Sequence, residues 1–290
     1  MRLEKALVGV DLSPISDNLV KWLPYLSKVG VKTIILSYVV PSTIVEHVAG
    51  GILVDKLVEE HVSEAKKVLS VYEKRLSEAG FEVKETEVRV GEPAPVLASQ
   101  AEKYGADLIV VGSRGRGWLR EILLGSTVEE LARLAKKPLL VVKGLVSKKP
   151  DGSKSISLPG NPFTGPLLAA IDFHEYTDKV LKCSSTIARK TGQRIVLVHV
   201  VERDEDPDEA HRILEDHVST LRDAGLSVEP VIVKEPGNIA KTIILEAEKH
   251  KATLLIVGPR GKGGSILSGL LGSTTDTVLR YSRVPVIICR

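Results

Sequence analysis

The chain has 290 residues, of which 43% are hydrophobic and 27% are charged. This composition excludes a mainly disordered chain, and because no run of about 18 apolar residues occurs we expect no transmembrane helix. The 40 basic and 37 acidic residues give a net charge of +3, and only 4% are aromatic, so we expect no nucleic-acid partner. Two cysteines, Cys183 and Cys289, are too few for a disulfide framework or a four-cysteine zinc site. Since the N-terminus also lacks a secretory signal, we expect a cytoplasmic protein with buried free thiols and no membrane partner.

Strand-like and helix-like segments alternate along the first half of the chain. Apolar runs without polar alternation predict strands buried on both faces at 6–10, 32–39, 82–90, 107–111 and 138–143. Helical periodicity lies between them at 17–29, 55–79, 95–104 and 127–135. Glycines 30, 80, 192 and 225 stand where helix C-caps are expected. This order predicts a parallel α/β sandwich, in which ligands bind beyond the carboxyl ends of the strands.

The second half of the chain repeats the first. Residues 106–143 match 252–290, and upstream 7–14 match 168–175 and 34–40 match 195–201. The aspartate that ends the first strand and the valine that ends the second are 28 positions apart in both halves. The second copy lacks 15 residues in one place, which corresponds to 40–54. We therefore predict a tandem duplication with domains at 1–147 and 164–290, joined by a linker at 148–163 that is rich in Lys, Ser, Gly and Pro.

A glycine-rich loop follows the fourth strand and leads into a helix. Gly112, Gly115 and Gly125 form the pattern G-x2-G-x9-G, and Ser126 and Thr127 follow it. Glycines let a ligand approach the backbone, and a helix N-terminus offers unpaired N–H groups and the positive end of the helix dipole. These features predict an anion site suited to phosphate, although a plain turn before an N-capped helix fits the same residues.

Two arginines could add positive charge at the rim of this loop, Arg114 and Arg116. The loop is not a Walker A motif, because Gly264 occupies the position of its lysine in the second copy. The dinucleotide fingerprint belongs after the first strand, and neither copy has it there. Kinase and nicotinamide chemistry are therefore disfavoured.

The second copy carries the same loop as Gly258, Gly261, Gly272, Ser273 and Thr274. It departs from the first in having ten rather than nine residues before the last glycine.

Three further departures concern single positions. Pro259 replaces Ser113 and removes a backbone donor, His174 replaces Ser13, and the glycines at 263 and 264 raise the entropic cost of ordering the loop. We predict that the first site binds more tightly, and that the second binds weakly, takes a shorter nucleotide or stays empty.

Two further pairs of residues end strands at the expected ligand edge. Asp11 and Asp172 could accept a hydrogen bond from a ribose hydroxyl or an exocyclic amine, or could instead cap the following helices. Val39 and Val200 could offer backbone groups to a base edge, while their side chains join the core.

The motifs DLSP at 11–14, VGEP at 90–93 and GSRG-x9-GST at 112–127 resemble the universal stress protein family, and both halves share the resemblance. It implies a doubly wound five-stranded parallel sheet in the order 3-2-1-4-5, and an adenine nucleotide, ATP or AMP, with Mg²⁺ as a possible companion. Asp11 and Val39 would hold the ribose and adenine, and the glycine loop with Ser126 and Thr127 would hold the phosphates. The last strands, 138–143 and 285–290, would pair within one chain as a pseudo-dimer.

Three functions remain open at this point. The first is a nucleotide-binding stress or signalling protein, and the second is a slow Mg²⁺-dependent ATP-hydrolysing enzyme, for which Glu121 is the one carboxylate in the first loop. The third is a dimerisation scaffold without nucleotide. The apolar segment 41–54 could be an extension of the second helix, a flap over the nucleotide or an assembly patch, and we expect a homo-oligomer with a further protein partner.

Overall fold

The computed structural model describes residues 2–42, 51–85, 88–113, 124–148, 154–203, 205–234, 237–261 and 271–290. The chain divides into two compact units. Domain 1 is Leu3–Leu158, and domain 2 is Pro159–Arg290 together with the first two residues.

Domain 1 alternates strands and helices from its first residues onward. Its strands are β1 (Lys5–Val10), β2 (Thr33–Pro41), β3 (Glu82–Glu85), β4 (Arg89–Gly91), β5 (Leu108–Gly112), β6 (Leu139–Val142), β7 (Leu145–Lys148) and β8 (Lys154–Ser157). Its helices are α1 (Pro14–Trp22), a 3-10 helix at Leu23–Val29, α2 (Gly51–Glu78), α3 (Pro93–Lys103) and α4 (Ser126–Leu134).

The central sheet of domain 1 is parallel, in the order β3-β2-β1-β5-β6. The predicted third strand is interrupted, because β3 and β4 both pair with β2 at successive positions along it. Every residue of β2 before Pro41 is buried, which explains why this strand is a continuous apolar run without polar alternation. The helices bury one face each: α4, for example, buries Val128, Leu131 and Ala132.

A small antiparallel hairpin, β7 and β8, follows the last strand of this sheet. It packs on α1, where the Asn18 side-chain amide donates to the Ile156 carbonyl at 3.1 Å. Part of the segment predicted as a linker is thus regular structure within domain 1, and the division between the units falls after Leu158. The serines and glycines of 148–163 gave no apolar periodicity from which two short exposed strands could be predicted.

Domain 2 repeats the architecture of domain 1 without the hairpin. Its strands are β9 (Leu167–Ile171), β10 (Ile195–Val201), β11 (Val228–Lys234), β12 (Leu254–Val257) and β13 (Val286–Ile288). Its helices are α5 (Thr177–Thr191), α6 (Pro207–Asp223), α7 (Ile239–Lys249) and α8 (Ser273–Tyr281). The parallel order β11-β10-β9-β12-β13 is the same 3-2-1-4-5 order, so the predicted fold class is confirmed.

The glycines predicted as C-caps occupy the left-handed region. Gly30 and Gly192 end their helices at φ values of 88° and 73°. Both cysteines are free and buried, as expected. Burial raises the pKa of the Cys289 thiol, and a hydrogen bond with Cys183 raises it further, so this thiol is unreactive in the folded state. No helix in the part of the chain that the structure describes is long and apolar enough to cross a membrane.

Candidate functional site

Each domain has a cavity of about 420 Å³ at the carboxyl ends of its parallel strands. In domain 1 the cavity is bordered by the ends of β1, β2 and β5 and by the N-terminus of α4. Its walls include six of the predicted site residues: Asp11, Val39, Gly112, Gly125, Ser126 and Thr127. Arg114, Gly115, Arg116 and Glu121 lie outside the described residues.

The N-terminus of α4 points free backbone donors at the domain 1 cavity. Gly125 is the N-cap, with φ −68° and ψ 142°, and its carbonyl already accepts from the amides of Val128 and Glu129. The amides of Ser126 and Thr127 make no hydrogen bond to any described residue, and both residues line the cavity. Backbone N–H groups at the positive end of a helix are suited to bind an anion.

Asp11 directly follows β1 and takes part in a local hydrogen-bond network. Its Oδ1 accepts from the Ser13 amide at 3.1 Å and from the Ser16 hydroxyl at 2.7 Å. The N-cap of α1 is Ser13, so the alternative in which Asp11 is itself the cap is wrong, although Asp11 does hold the turn before the helix. The turn is strained, because the next residue, Leu12, has a φ of 57°.

Val39 lies where β2 extends beyond β1. The pairing of the two strands ends at Val10 and Tyr38, whereas β2 continues to Pro41. The Val39 side chain is 5% exposed and belongs mainly to the core, yet the residue forms part of the cavity wall. The apolar wall opposite comes from Pro93 and Leu97 of α3.

The cavity of domain 2 is built from the corresponding residues. Its walls contain all seven that the sequence predicts: Asp172, Val200, Gly258, Gly261, Gly272, Ser273 and Thr274. Gly272 is the N-cap of α8, with φ −65° and ψ 143°, and the amides of Ser273 and Thr274 likewise find no partner among the residues that can be described. Both cavities therefore have the same pair of backbone amides at a helix N-terminus.

Asp172 of domain 2 leaves one carboxylate oxygen without a partner. Its Oδ1 accepts from the His174 amide at 3.1 Å and lies 3.5 Å from the Thr177 hydroxyl. Its Oδ2 is buried and makes no hydrogen bond to any residue in the described ranges. An added Cβ at Gly261 would lie 3.0 Å from this Oδ2, so the glycine keeps the approach to the carboxylate open. A buried acceptor without a partner, in a cavity wall, fits a ligand hydroxyl or amine.

Pro259 does not weaken the anion site in the way its sequence position suggests. In domain 1 the amide of the matching residue, Ser113, donates to the Val142 carbonyl at 2.9 Å and so belongs to the sheet. The proline therefore removes a sheet hydrogen bond. In agreement, the pairing of β5 with β6 extends over four residue pairs and that of β12 with β13 over three. His174 contributes its backbone amide to Asp172, and its side chain is not part of the cavity wall.

Arg260 is a positively charged residue in the wall of the domain 2 cavity, and it follows Pro259 in the loop. Its guanidinium lies 6.0 Å from the ring centre of Tyr176, another wall residue. Burial lowers the pKa of Arg290, and the nearby charge of Arg260 lowers it further, whereas Tyr176 raises it.

Several wall residues were not predicted from the sequence. Ser16 donates to Asp11, and Thr177 stands at the same offset of five residues after Asp172. A hydroxyl residue five positions after the aspartate in both copies could have indicated these two wall residues. Glu202 and Tyr176 line the domain 2 cavity at positions where domain 1 has Pro41 and Ile15, so the repeat could not indicate them. Arg260 is the counterpart of Arg114, which the sequence did indicate.

The described fold is an α/β architecture with a cavity at the carboxyl ends of its parallel strands, and it is present twice in one chain. A family model described as "Universal stress protein family" matches residues 2–143 and again 164–290. The chain therefore belongs to the universal stress protein family.

Whole-chain relatives share this two-domain organisation. A universal stress protein of Mycolicibacterium smegmatis is 26% identical over 299 residues, covering 98% of this chain and 96% of its own length. The crystal structure of a universal stress protein from Archaeoglobus fulgidus matches with a TM-score of 0.79 and 27% identity, over 100% of this chain and 99% of that one. Another Archaeoglobus fulgidus universal stress protein, solved in complex with dAMP, covers 44% of this chain and 99% of its own, at 23% identity and a TM-score of 0.37.

Proposed function

We propose that this protein binds adenine nucleotides at the carboxyl ends of its strands, in domain 1 and more weakly in domain 2. The observation that carries the proposal is the pairing of two features in one cavity of about 420 Å³: free amides at a helix N-terminus and a strand-end carboxylate. The amides of Ser126 and Thr127 suit a phosphate, and the Asp11 carboxylate suits a ribose hydroxyl. Nucleotide occupancy would then bias a partner surface, as expected of a stress or signalling protein.

The residues present fit an adenine nucleotide at both ends of the cavity. Beside the anion site, the apolar walls of Val39, Pro93 and Leu97 offer contact area for a purine ring. In domain 2 the buried Oδ2 of Asp172 has no protein partner and would gain one from the ribose. ATP and AMP differ only at the phosphate end, and Mg²⁺ would be held there through the phosphates.

The weaker affinity of domain 2 rests on the loop between its glycines. Gly263 and Gly264 lie outside the described residues, but glycine loses more backbone entropy than other residues when it is ordered, so fixing this segment on a phosphate would cost more free energy. Pro259 and His174 no longer support the difference. We therefore propose a weak second site in preference to an empty one.

Mass analysis of small molecules released on denaturation tests the proposal directly. We expect AMP, ADP or ATP from purified protein, and calorimetric binding of added nucleotide once the protein is stripped. Protein that releases no nucleotide and gives no heat with millimolar ATP, ADP and AMP would refute the proposal and favour the scaffold alternative. Measuring turnover of ATP in the same samples, with Glu121→Gln as the comparison, separates binding from hydrolysis.

Assembly and location follow as further proposals. We infer a cytoplasmic homo-oligomer with a protein partner, in which the segment 41–54 contributes to assembly. Its residues 43–50 lie outside the described part of the chain, and α2 begins at Gly51. Size-exclusion chromatography of a variant lacking 41–54 should show a smaller species, and an unchanged elution volume would count against this role.

A further inference from the structure

Glu202 is an acidic residue in the wall of the domain 2 cavity, and among the described residues the first cavity has no acidic residue at the matching position. It directly follows β10, whose Val198 and Val200 line the same cavity. The matching position in domain 1, two residues after Val39, is Pro41, which also lines its cavity. The two nucleotide sites thus differ in charge at the end of their second strands.

The order of strands puts Glu202 far from the anion site. In domain 2, β9 lies between β10 and β12, and α8 is reached through the loop after β12. Because neighbouring strands are about 4.8 Å apart, the ends of β10 and β12 are separated by about 10 Å. Glu202 and the amides of Ser273 and Thr274 therefore occupy opposite ends of the cavity, with Asp172 between them. A mononucleotide has the same order of groups: base, ribose and phosphate.

The backbone of Glu202 is held in place while its side chain is unengaged. Its amide donates to the Glu205 carboxylate at 3.1 Å, and its carbonyl accepts from the Glu205 amide at 3.2 Å. The same carboxylate lies 2.9 Å from Nε2 of His199, which is buried. The Glu202 carboxylate makes no hydrogen bond or ion pair with the residues that the structure describes. A fixed backbone with an uncommitted acceptor is suited to ligand recognition.

The surroundings of this carboxylate favour a base over a phosphate. Ile239 and Ile243 of α7 form an apolar wall near it, at the positions of Pro93 and Leu97 in domain 1. An ionised carboxylate only accepts hydrogen bonds, so it attracts N–H donors and repels phosphate oxygens. It therefore orients a nucleotide with its base at β10 and its phosphate at α8.

We propose that Glu202 is a specificity-determining residue of domain 2: its carboxylate accepts a hydrogen bond from the exocyclic amine of a purine base. Domain 2 then selects amino-purine nucleotides more strongly than domain 1, where Pro41 offers no acceptor side chain. This inference rests on the proposed nucleotide binding and adds the chemical feature that the second site reads.

The test compares AMP with purine riboside 5′-monophosphate, which lacks the amine, by calorimetry on the full chain. Gly125→Val weakens binding in domain 1 and Gly272→Val weakens binding in domain 2, so comparing the two-site fits of both variants assigns each dissociation constant to its domain. We expect the ratio of the two dissociation constants to be about tenfold larger in domain 2 than in domain 1, in keeping with a charge-assisted hydrogen bond. Using a ratio cancels any general effect of charge on phosphate affinity.

Variants at Glu202 then assign the difference to this side chain. In the Gly125→Val background, Glu202→Ala should lower the domain 2 ratio to the domain 1 value, and Glu202→Gln, which keeps an acceptor oxygen, should give an intermediate ratio. Glu248→Ala removes the same charge from an exposed site on α7 and should leave the ratio unchanged. Binding of both nucleotides with a ratio insensitive to Glu202→Ala would overturn this inference alone. Failure of domain 2 to bind either nucleotide would overturn the proposed second site together with it.

Discussion

Replacing Gly125 by Val should weaken phosphate binding at the N-terminus of α4 without unfolding the domain. The φ of −68° and ψ of 142° at Gly125 lie in the ordinary extended region, so valine fits the backbone there. The consequence is steric, as the equivalent glycine of domain 2 shows. A Cβ at Gly272 would lie 3.1 Å from the Arg260 Cα and 3.4 Å from the Pro259 carbonyl oxygen, both backbone atoms of the loop. A valine would therefore push the loop away from the helix N-terminus and from a bound phosphate.

The expected loss follows from the donors involved. A hydrogen bond to a charged group contributes about 1.5–3 kcal/mol, so losing one raises the dissociation constant of AMP about 10- to 100-fold. Gly272→Val should produce a smaller loss, because the loop containing Gly263 and Gly264 contributes less to binding. The fold should persist in both variants, since neither glycine has a positive φ.

Titration calorimetry of the full chain with AMP measures both losses. Gly160→Val is a matched control, because an added Cβ at Gly160 meets no atom within 4 Å. A dissociation constant within twofold of wild type for Gly125→Val would refute the anion site at α4. Equal losses at Gly125 and Gly272 would instead refute the difference between the two domains.

Three further predictions concern residues beneath and beside the sites. Ser113→Pro should lower the melting temperature of domain 1, because it removes the Ser113 amide that donates to the Val142 carbonyl and the hydroxyl that accepts from the Gly144 amide. Calorimetry should show that the affinity for AMP is unchanged. A tenfold loss of affinity would instead identify Ser113 as a phosphate donor. Gln100→Leu should cost about 1–3 kcal/mol in urea unfolding, since it leaves the fully buried Ser37 hydroxyl without its Gln100 acceptor, and adding Ser37→Ala should recover part of that loss. Burial, together with a 2.5 Å hydrogen bond to Asp17, raises the pKa of Tyr72. The unfolded chain loses this proton near pH 10, whereas the folded chain keeps it. Above about pH 10, Tyr72 should therefore make the free energy of unfolding of the wild type fall by up to ~1.4 kcal/mol for each pH unit. Tyr72→Phe lacks this contribution, so its free energy of unfolding should fall less steeply as the pH rises.

The sequence predicted the parts of the fold that depend on continuous apolar patterns. The strand β2 is buried on both sides, and its run of Val, Ile and Leu carried the prediction. The break between β3 and β4 was not predicted, because the polar residues of an edge strand resemble those of a connecting segment. The hairpin of β7 and β8 was missed for a similar reason, since its short strands lie within a segment rich in Lys and Ser.

The candidate site could be predicted where both copies carry the same residue, and only there. Asp11 and Asp172 recur at one register, and each lies in its cavity wall. The recurrence of a residue in both copies did not reveal which hydrogen bonds that residue makes. The amide at position 113 looked like a phosphate donor because it lies within the glycine loop, yet it completes the pairing of β5 with β6. Hydrogen-bond partners between strands far apart in sequence depend on register, which one sequence does not reveal.

The loss of one sheet hydrogen bond at Pro259 shows that domain 2 can change beside its cavity without losing the backbone amides at the N-terminus of α8. A proline there shortens the pairing of β12 with β13 by one residue pair but leaves the amides of Ser273 and Thr274 free. The anion site can therefore be retained while the opposite end of the cavity changes, as it does from Pro41 to Glu202. Because these two ends belong to different strands, separated by β9, a substitution at one need not disturb the other. Duplication thus allows one cavity to change at the end of its second strand while the helix N-terminus at the other end is retained.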